Sequence, residues 1–146
     1  MGTTYKQDVV AWAQEQAALL RSGKLSAIDI EHIAEEIEDV GRSEQRDLGS
    51  RMAVLLAHLL KWEYQPSHRT SSWKRTIKEQ RKVLGLRLKK TPSLNGSLTD
   101  PDWLAESWSD GVSKAVDETG LDVFPEGCAW SVEEILSQDF YPESWL

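Results

Sequence analysis

The chain has 146 residues, a formal net charge of −7, 40% hydrophobic and 28% charged residues, the balance of one soluble globular domain able to bury its own core. The longest apolar run, Met52 to Leu60, is interrupted by His58 and falls far short of the roughly 20 residues of a membrane span. Met1 to Asp8 has no apolar centre of a signal peptide. The single Cys128 excludes an internal disulfide and a zinc motif, so the expected compartment is the cytoplasm.

A first helix is predicted from about Asp8 to Arg21. Val9, Trp12, Ala13, Gln16, Leu19 and Leu20 fall on one side at helical spacing, and Gly23 follows as a left-handed stop. Ser26 and Asp29 read as a capping pair for the next helix. From Ile30 an apolar stripe runs through Ile33, Ala34, Ile37, Val40, Gly41, Leu48, Met52, Leu55 and Leu59 to Trp62. It keeps its phase across Gly41 and Gly49, which fits one long helix on the order of 50 Å or two helices kinked at Gly41. Met52 to Leu60 is apolar nearly all round, the mark of an enclosed helix.

Pro66 ends that helix, and a basic helix begins near Ser71 or Ser72 with Trp73, Ile77, Leu84 and Leu88 inward and Arg81 among them. Thr91 to Ser97 is a break. Asp100–Pro101 is an N-cap followed by proline at the first helical position, and Gly120 closes that helix. Ser131 and Glu134 form a capping box for a last short helix, about Val132–Ser137. No strand-like alternation of useful length occurs. The fold class is therefore all-α, a bundle of about five helices with a long central helix and a short C-terminal one, occupying 1–146 as a single domain.

Charge is unevenly spread. Residues 29–47 carry a net −6, residues 69–90 a net +8 and residues 100–146 a net −11. A basic segment between acidic ones suits internal complementation, and the acidic remainder repels nucleic acid.

Ala34-Glu-Glu-Ile-Glu-Asp-Val-Gly41, Ser43-Glu44, His58-Leu-Leu-Lys61-Trp62, Tyr64-Gln-Pro66, Ser72-Trp73, Thr76-Ile77, Gln80-Arg81, Glu118-Thr-Gly-Leu121 and Phe124-Pro-Glu126 stand in an order and spacing that resembles the bacterial domain of unknown function 29 family, over about residues 5–142. Ala129 departs from that pattern, where proline is expected. The resemblance implies an all-helical, soluble bacterial protein and no particular activity.

Three constellations invite chemistry. Glu35, Glu36, Glu38 and Asp39 could offer oxygen ligands with His32 or His58. However, His32 precedes Glu35, the reverse of the di-metal Glu-x-x-His order, and both are read as outward. No metal and no cofactor is expected. Glu44, Arg51 and His58 recur every seven residues and share one side of a helix. Arg51 and His58 are similar to the loose Arg-x4–6-His signature of helical HEPN ribonucleases, a resemblance that implies proton transfer by His58 and phosphate binding by Arg51. Met52 departs from it, because a polar residue often follows the arginine there. On the structural reading, Glu44 and Arg51 form ion pairs and His58 is a core histidine bonded to a backbone group or a carboxylate. Lys61, Trp62, Trp73 and Arg81 form an aromatic and basic corner that anchors helices, with Glu36 on the acidic segment as a further interaction residue. Arg81 needs a partner, and an acid from 29–47 is the expected one.

The reading that follows is a non-catalytic interaction or regulatory module with an unidentified protein partner or a homo-oligomeric state, with nucleic acid disfavoured and no membrane. Its alternative is a helical-bundle enzyme, a HEPN-like ribonuclease or a metal-dependent hydrolase, using His58, Arg51 and nearby acids such as Glu44.

Overall fold

The computed structural model, which describes residues 2–143, is all-α, and no residue among those described lies in a strand. Its α-helices are α1 Val9–Arg21, α2 Ile30–Tyr64, α3 Ser71–Lys90, α4 Pro101–Thr119 and α5 Val132–Leu136, joined in part by short 3₁₀ turns. The helix α2 runs unbroken for 35 residues. Gly41 does not break it, because a single glycine costs only about 1 kcal/mol against the hydrogen bonds of a helix this long.

Local chemistry sets the helix ends. Asp8 caps α1 by accepting from the Ala11 amide, and Gly23 takes φ 74° just past its end. Asp29 caps α2 by accepting from the His32 amide. The expected Ser26–Asp29 pair does not form, since Ser26 is taken into a 3₁₀ turn, Leu25–Ala27. Thr70 caps α3. Asp100 caps α4, Pro101 is its first residue, and Gly120 ends it at φ 73°. The Ser131–Glu134 box is present on α5.

The chain divides into two compact units, Met1–Ser43 and Glu44–Leu146. The first is a helical hairpin of α1 and the opening turns of α2. Trp12 is its one buried hydrophobic side chain among the described residues. Ile30, Ile37 and Val40, expected to face a core, are 66%, 67% and 67% exposed. Two helices share a single seam, and an apolar stripe wider than that seam is left outside it.

The second unit contains a close-packed core. Leu48, Met52, Leu55, Leu56, Leu59 and Leu60 of α2 pack with Ile77 and Leu84 of α3, Leu94 of the 3₁₀ segment Pro92–Thr99, Trp108 and Ala115 of α4, and Ile135 of α5. The approach of α4 to α2 is close at Gly111, where an added Cβ would stand 2.9 Å from Leu56 Cβ. Two tryptophans stitch the edges through their indole N–H groups. Trp103 donates to the Gln45 carbonyl at 3.0 Å and Trp108 to that of Pro125 at 3.1 Å. The Trp108 and Trp130 rings meet edge to face at 5.6 Å.

Candidate functional site

The heptad row on α2 does not converge on one cleft. Glu44 reaches Arg87 of α3 at 3.7 Å, and the same guanidinium holds Asp47 at 2.6 Å. Arg51 lies 3.4 Å from Asp47, one turn back on its own helix. These four side chains form a chain of alternating charge, with Asp47 shared between two arginines. The sharing joins α2 to α3 through partly exposed groups, which contribute modestly. His58 stands apart. Its Nδ1 is 2.9 Å from the Val54 carbonyl, so Nδ1 carries the proton and donates. Burial holds its pKa below the usual histidine value, and the nearby Lys61 adds to that. A neutral imidazole engaged by its own helix is a satisfied half-buried group.

The aromatic and basic corner does assemble. Lys61 is 7% exposed, with its ammonium 2.6 Å from Glu118 and 5.0 Å from the Trp73 ring centre. Arg69 donates to the Trp62 carbonyl at 2.8 Å and lies over the Trp62 ring. Arg81, 2% exposed, does not pair with an acid of 29–47. It donates from Nε to the Ile135 carbonyl at 2.8 Å and from Nη2 to the Phe140 carbonyl at 2.6 Å. The reason lies in where helices end: the last carbonyls of α5 and the turn beyond have no intrahelical donor, and a rigid fork of N–H groups meets that need. Burial pulls the Arg81 pKa down, opposed by Tyr141 and Asp139. Lys61 thus spends its charge on holding α3 and α4 to α2, and Arg81 on holding the C-terminal segment to α3.

A third arrangement was not legible in the sequence. In the hairpin, His32 Nδ1 lies 2.7 Å from Asp29 Oδ2, and a carboxylate there makes Nδ1 the protonated nitrogen. The Trp12 indole N–H donates to the same oxygen at 3.0 Å. These bonds, His32 foremost, hold the Asp29 carboxyl below its ordinary value. The Tyr5 ring stacks on His32 at 4.3 Å, and the Tyr5 hydroxyl donates to Glu36, which pushes its pKa up to about 12. Thus Glu36 is a structural acceptor within the hairpin, and His32 points into it rather than outward. The Asp29–His32 spacing was visible as i, i+3, but Tyr5 lies outside any helix and no periodicity locates it. A pocket of about 480 Å³ adjoins this cluster. Among the described residues no group of three or more His, Cys, Asp or Glu could hold a metal ion.

The remaining feature is an apolar groove of about 340 Å³ between α1 and the start of α2, lined by Trp12, Ala13, Ala17, Leu20, Ile33 and Ile37 among others. Seven of the nine large hydrophobics exposed among the described residues belong to the hairpin. No described helix is long and apolar enough to cross a membrane. No curated protein and no solved structure matches the chain. The model of the family described as Domain of unknown function DUF29 matches residues 4–141, nearly the whole length, and the chain belongs to that family.

Proposed function

We propose that this chain is a non-catalytic interaction or regulatory module of the bacterial cytoplasm, acting through a protein partner or through another copy of itself. The observation that carries the reading is the mainly apolar groove of the hairpin together with the exposed hydrophobics around it, apolar surface of the kind a protein partner can cover. The separate engagement of Glu44, Arg51 and His58 supports it, since general acid–base chemistry needs such groups gathered within hydrogen-bond reach of one substrate. The lone, exposed Cys128 fits a reducing compartment.

The test is an RNA-cleavage assay on the purified chain with and without Mg²⁺ or Mn²⁺, run beside thermal melts of the wild type and His58→Ala. The expected result is no cleavage above buffer and a lower melting temperature for the variant. Cleavage that His58→Ala abolishes at an unchanged melting temperature overturns the reading in favour of the ribonuclease.

A further inference from the structure

We propose that the exposed face of α3 docks an acidic amphipathic segment of a partner protein, its carboxylates on a row of cations and its apolar side chain in the hollow beside them. The proposal rests on the interaction reading and assigns it a surface other than the hairpin groove.

Internal complementation of the basic segment is met at one place. Among the described residues, Arg87 alone of the bases in 69–90 pairs with carboxylates, those of Glu44 and Asp47. Arg69 and Arg81 are taken by backbone carbonyls, and Lys74 lies over the Tyr141 ring. Arg75, Lys78, Lys82, Lys89 and Lys90 are exposed, with no ion pair or hydrogen bond among the described residues. At about 3.6 residues per turn, Arg75, Lys78, Lys82 and Lys89 fall within an arc of about 60° and form a row about 21 Å long. Glu79, the one acid of α3, falls outside that arc. Like charges one turn apart, such as Lys78 and Lys82, weaken a helix, and a facing row of carboxylates relieves that repulsion.

A hollow of about 360 Å³ opens beside the C-terminal half of the row, lined by Val83, Leu86, Arg87, Lys90 and Thr91 with Glu44 of α2. Leu86 is 58% exposed there. An apolar socket edged by cations fits an apolar side chain flanked by carboxylates. The row itself is one residue wide and bears no aromatic side chain, since Trp73, the one aromatic of α3, is engaged by Lys61. It therefore offers no second line of charge to a duplex and no stacking face to single-stranded bases. Ile77 and Leu84 are buried in the core, so α3 has only Leu86 to place in a lipid layer. A polypeptide segment that carries acidic and apolar groups together matches both features at once.

The experiment is titration of the full chain with a helical peptide of about 18 residues, long enough to span the row, with glutamates along one face and a single leucine beside them. Single-stranded and duplex RNA of matching length, and vesicles of phosphatidylserine with phosphatidylcholine, are titrated in parallel. The peptide should bind most tightly. The triple variant Arg75→Glu, Lys78→Glu, Lys82→Glu should weaken it tenfold or more in Kd with unchanged helix content. Lys6→Glu, Lys24→Glu, Lys114→Glu, an equal charge change at exposed sites outside α3, should weaken it less than about threefold. Leu86→Ala should weaken the leucine-bearing peptide and leave a leucine-to-serine peptide unaffected, the coupling expected of a direct contact. Failure of the peptide to bind, or equal loss in the two triple variants, overturns the proposal. Tighter binding of RNA or vesicles, lost in the α3 triple variant, overturns it by giving the row to another class of partner. Self-association that this variant abolishes overturns it by giving the row to a second copy. The interaction reading falls instead to RNA cleavage that is lost in His58→Ala, which none of these binding outcomes imitates.

Discussion

Lys61 on α2 and Glu118 on α4 meet at 2.6 Å across a boundary between core and solvent, the lysine side chain 8% and the glutamate 48% exposed. The ammonium is held inside by one carboxylate and one indole face. A charge so placed depends on its partner, because its desolvation is already incurred. Glu118→Ala should cost about 1–2 kcal/mol, below the figure for a fully buried pair because water reaches the glutamate. Lys61→Met should cost less than Glu118→Ala, since it removes the charge and keeps the apolar stem. Urea denaturation of the two single variants and the double variant checks the order.

Arg81 should matter more. Arg81→Leu strands two carbonyls, at about 1–3 kcal/mol each, and should release the segment 135–140 before the rest of its unit. Arg81→Lys should recover little, because one ammonium on a flexible stem lacks the fork geometry. Hydrogen exchange at Ile135 through Phe140 should quicken in both variants while exchange in α2 changes less. Equal acceleration throughout would show that the segment does not open separately.

Two glycines in helices should respond with opposite sign. Gly111→Ala places a Cβ 2.9 Å from Leu56 Cβ and 3.2 Å from the Ala53 carbonyl, so α4 must move off α2, at a cost of about 1–3 kcal/mol. Gly41→Ala meets nothing within 4 Å and should stabilise by about 0.5–1 kcal/mol through helix propensity alone. Denaturant midpoints of the two variants should move in opposite directions.

His58 predicts a pH dependence. Its folded pKa lies below the ordinary 6.5 because burial disfavours the imidazolium. Well above pH 6.5 the imidazole is neutral in both folded and unfolded chains and contributes no slope. As pH falls below 6.5 the unfolded chain takes up the proton first, so stability declines until the folded pKa is reached. His58→Gln should flatten the slope in that window while keeping a donor for the Val54 carbonyl. His58→Ala should flatten it too and start from a lower melting temperature. Melts at half-unit steps from pH 7.5 to 5 check it.

The sequence predicted helices well where chemistry is local. Asp100–Pro101, Gly120 and the Ser131–Glu134 box act within one turn, and their residues announce them. The stripe from Leu48 to Leu59 was legible because a helix enclosed on several sides is apolar nearly all round. Its earlier stretch misled for the opposite reason: Ile30, Ile37 and Val40 keep the same phase, but periodicity states which face is apolar and not whether anything covers it. Arg81 misled similarly. Its need of a partner followed from its place among apolar neighbours, but carbonyls at the end of α5 carry no signature in residue type. Tyr5, His32 and Glu36 meet through a hairpin turn and a non-helical segment, contacts that no spacing rule encodes.

The edge-to-face pair of Trp108 and Trp130 is also an optical instrument built into the chain. Two indoles at 5.6 Å and 77° couple their transitions, so they should give a paired positive and negative band in circular dichroism that neither ring gives alone. Trp108 sits on α4 and Trp130 just ahead of α5, and Trp130 also touches Phe140. The band pair therefore follows the docking of the C-terminal segment without any label. Its loss before the helical signal at 222 nm would time the departure of that segment directly.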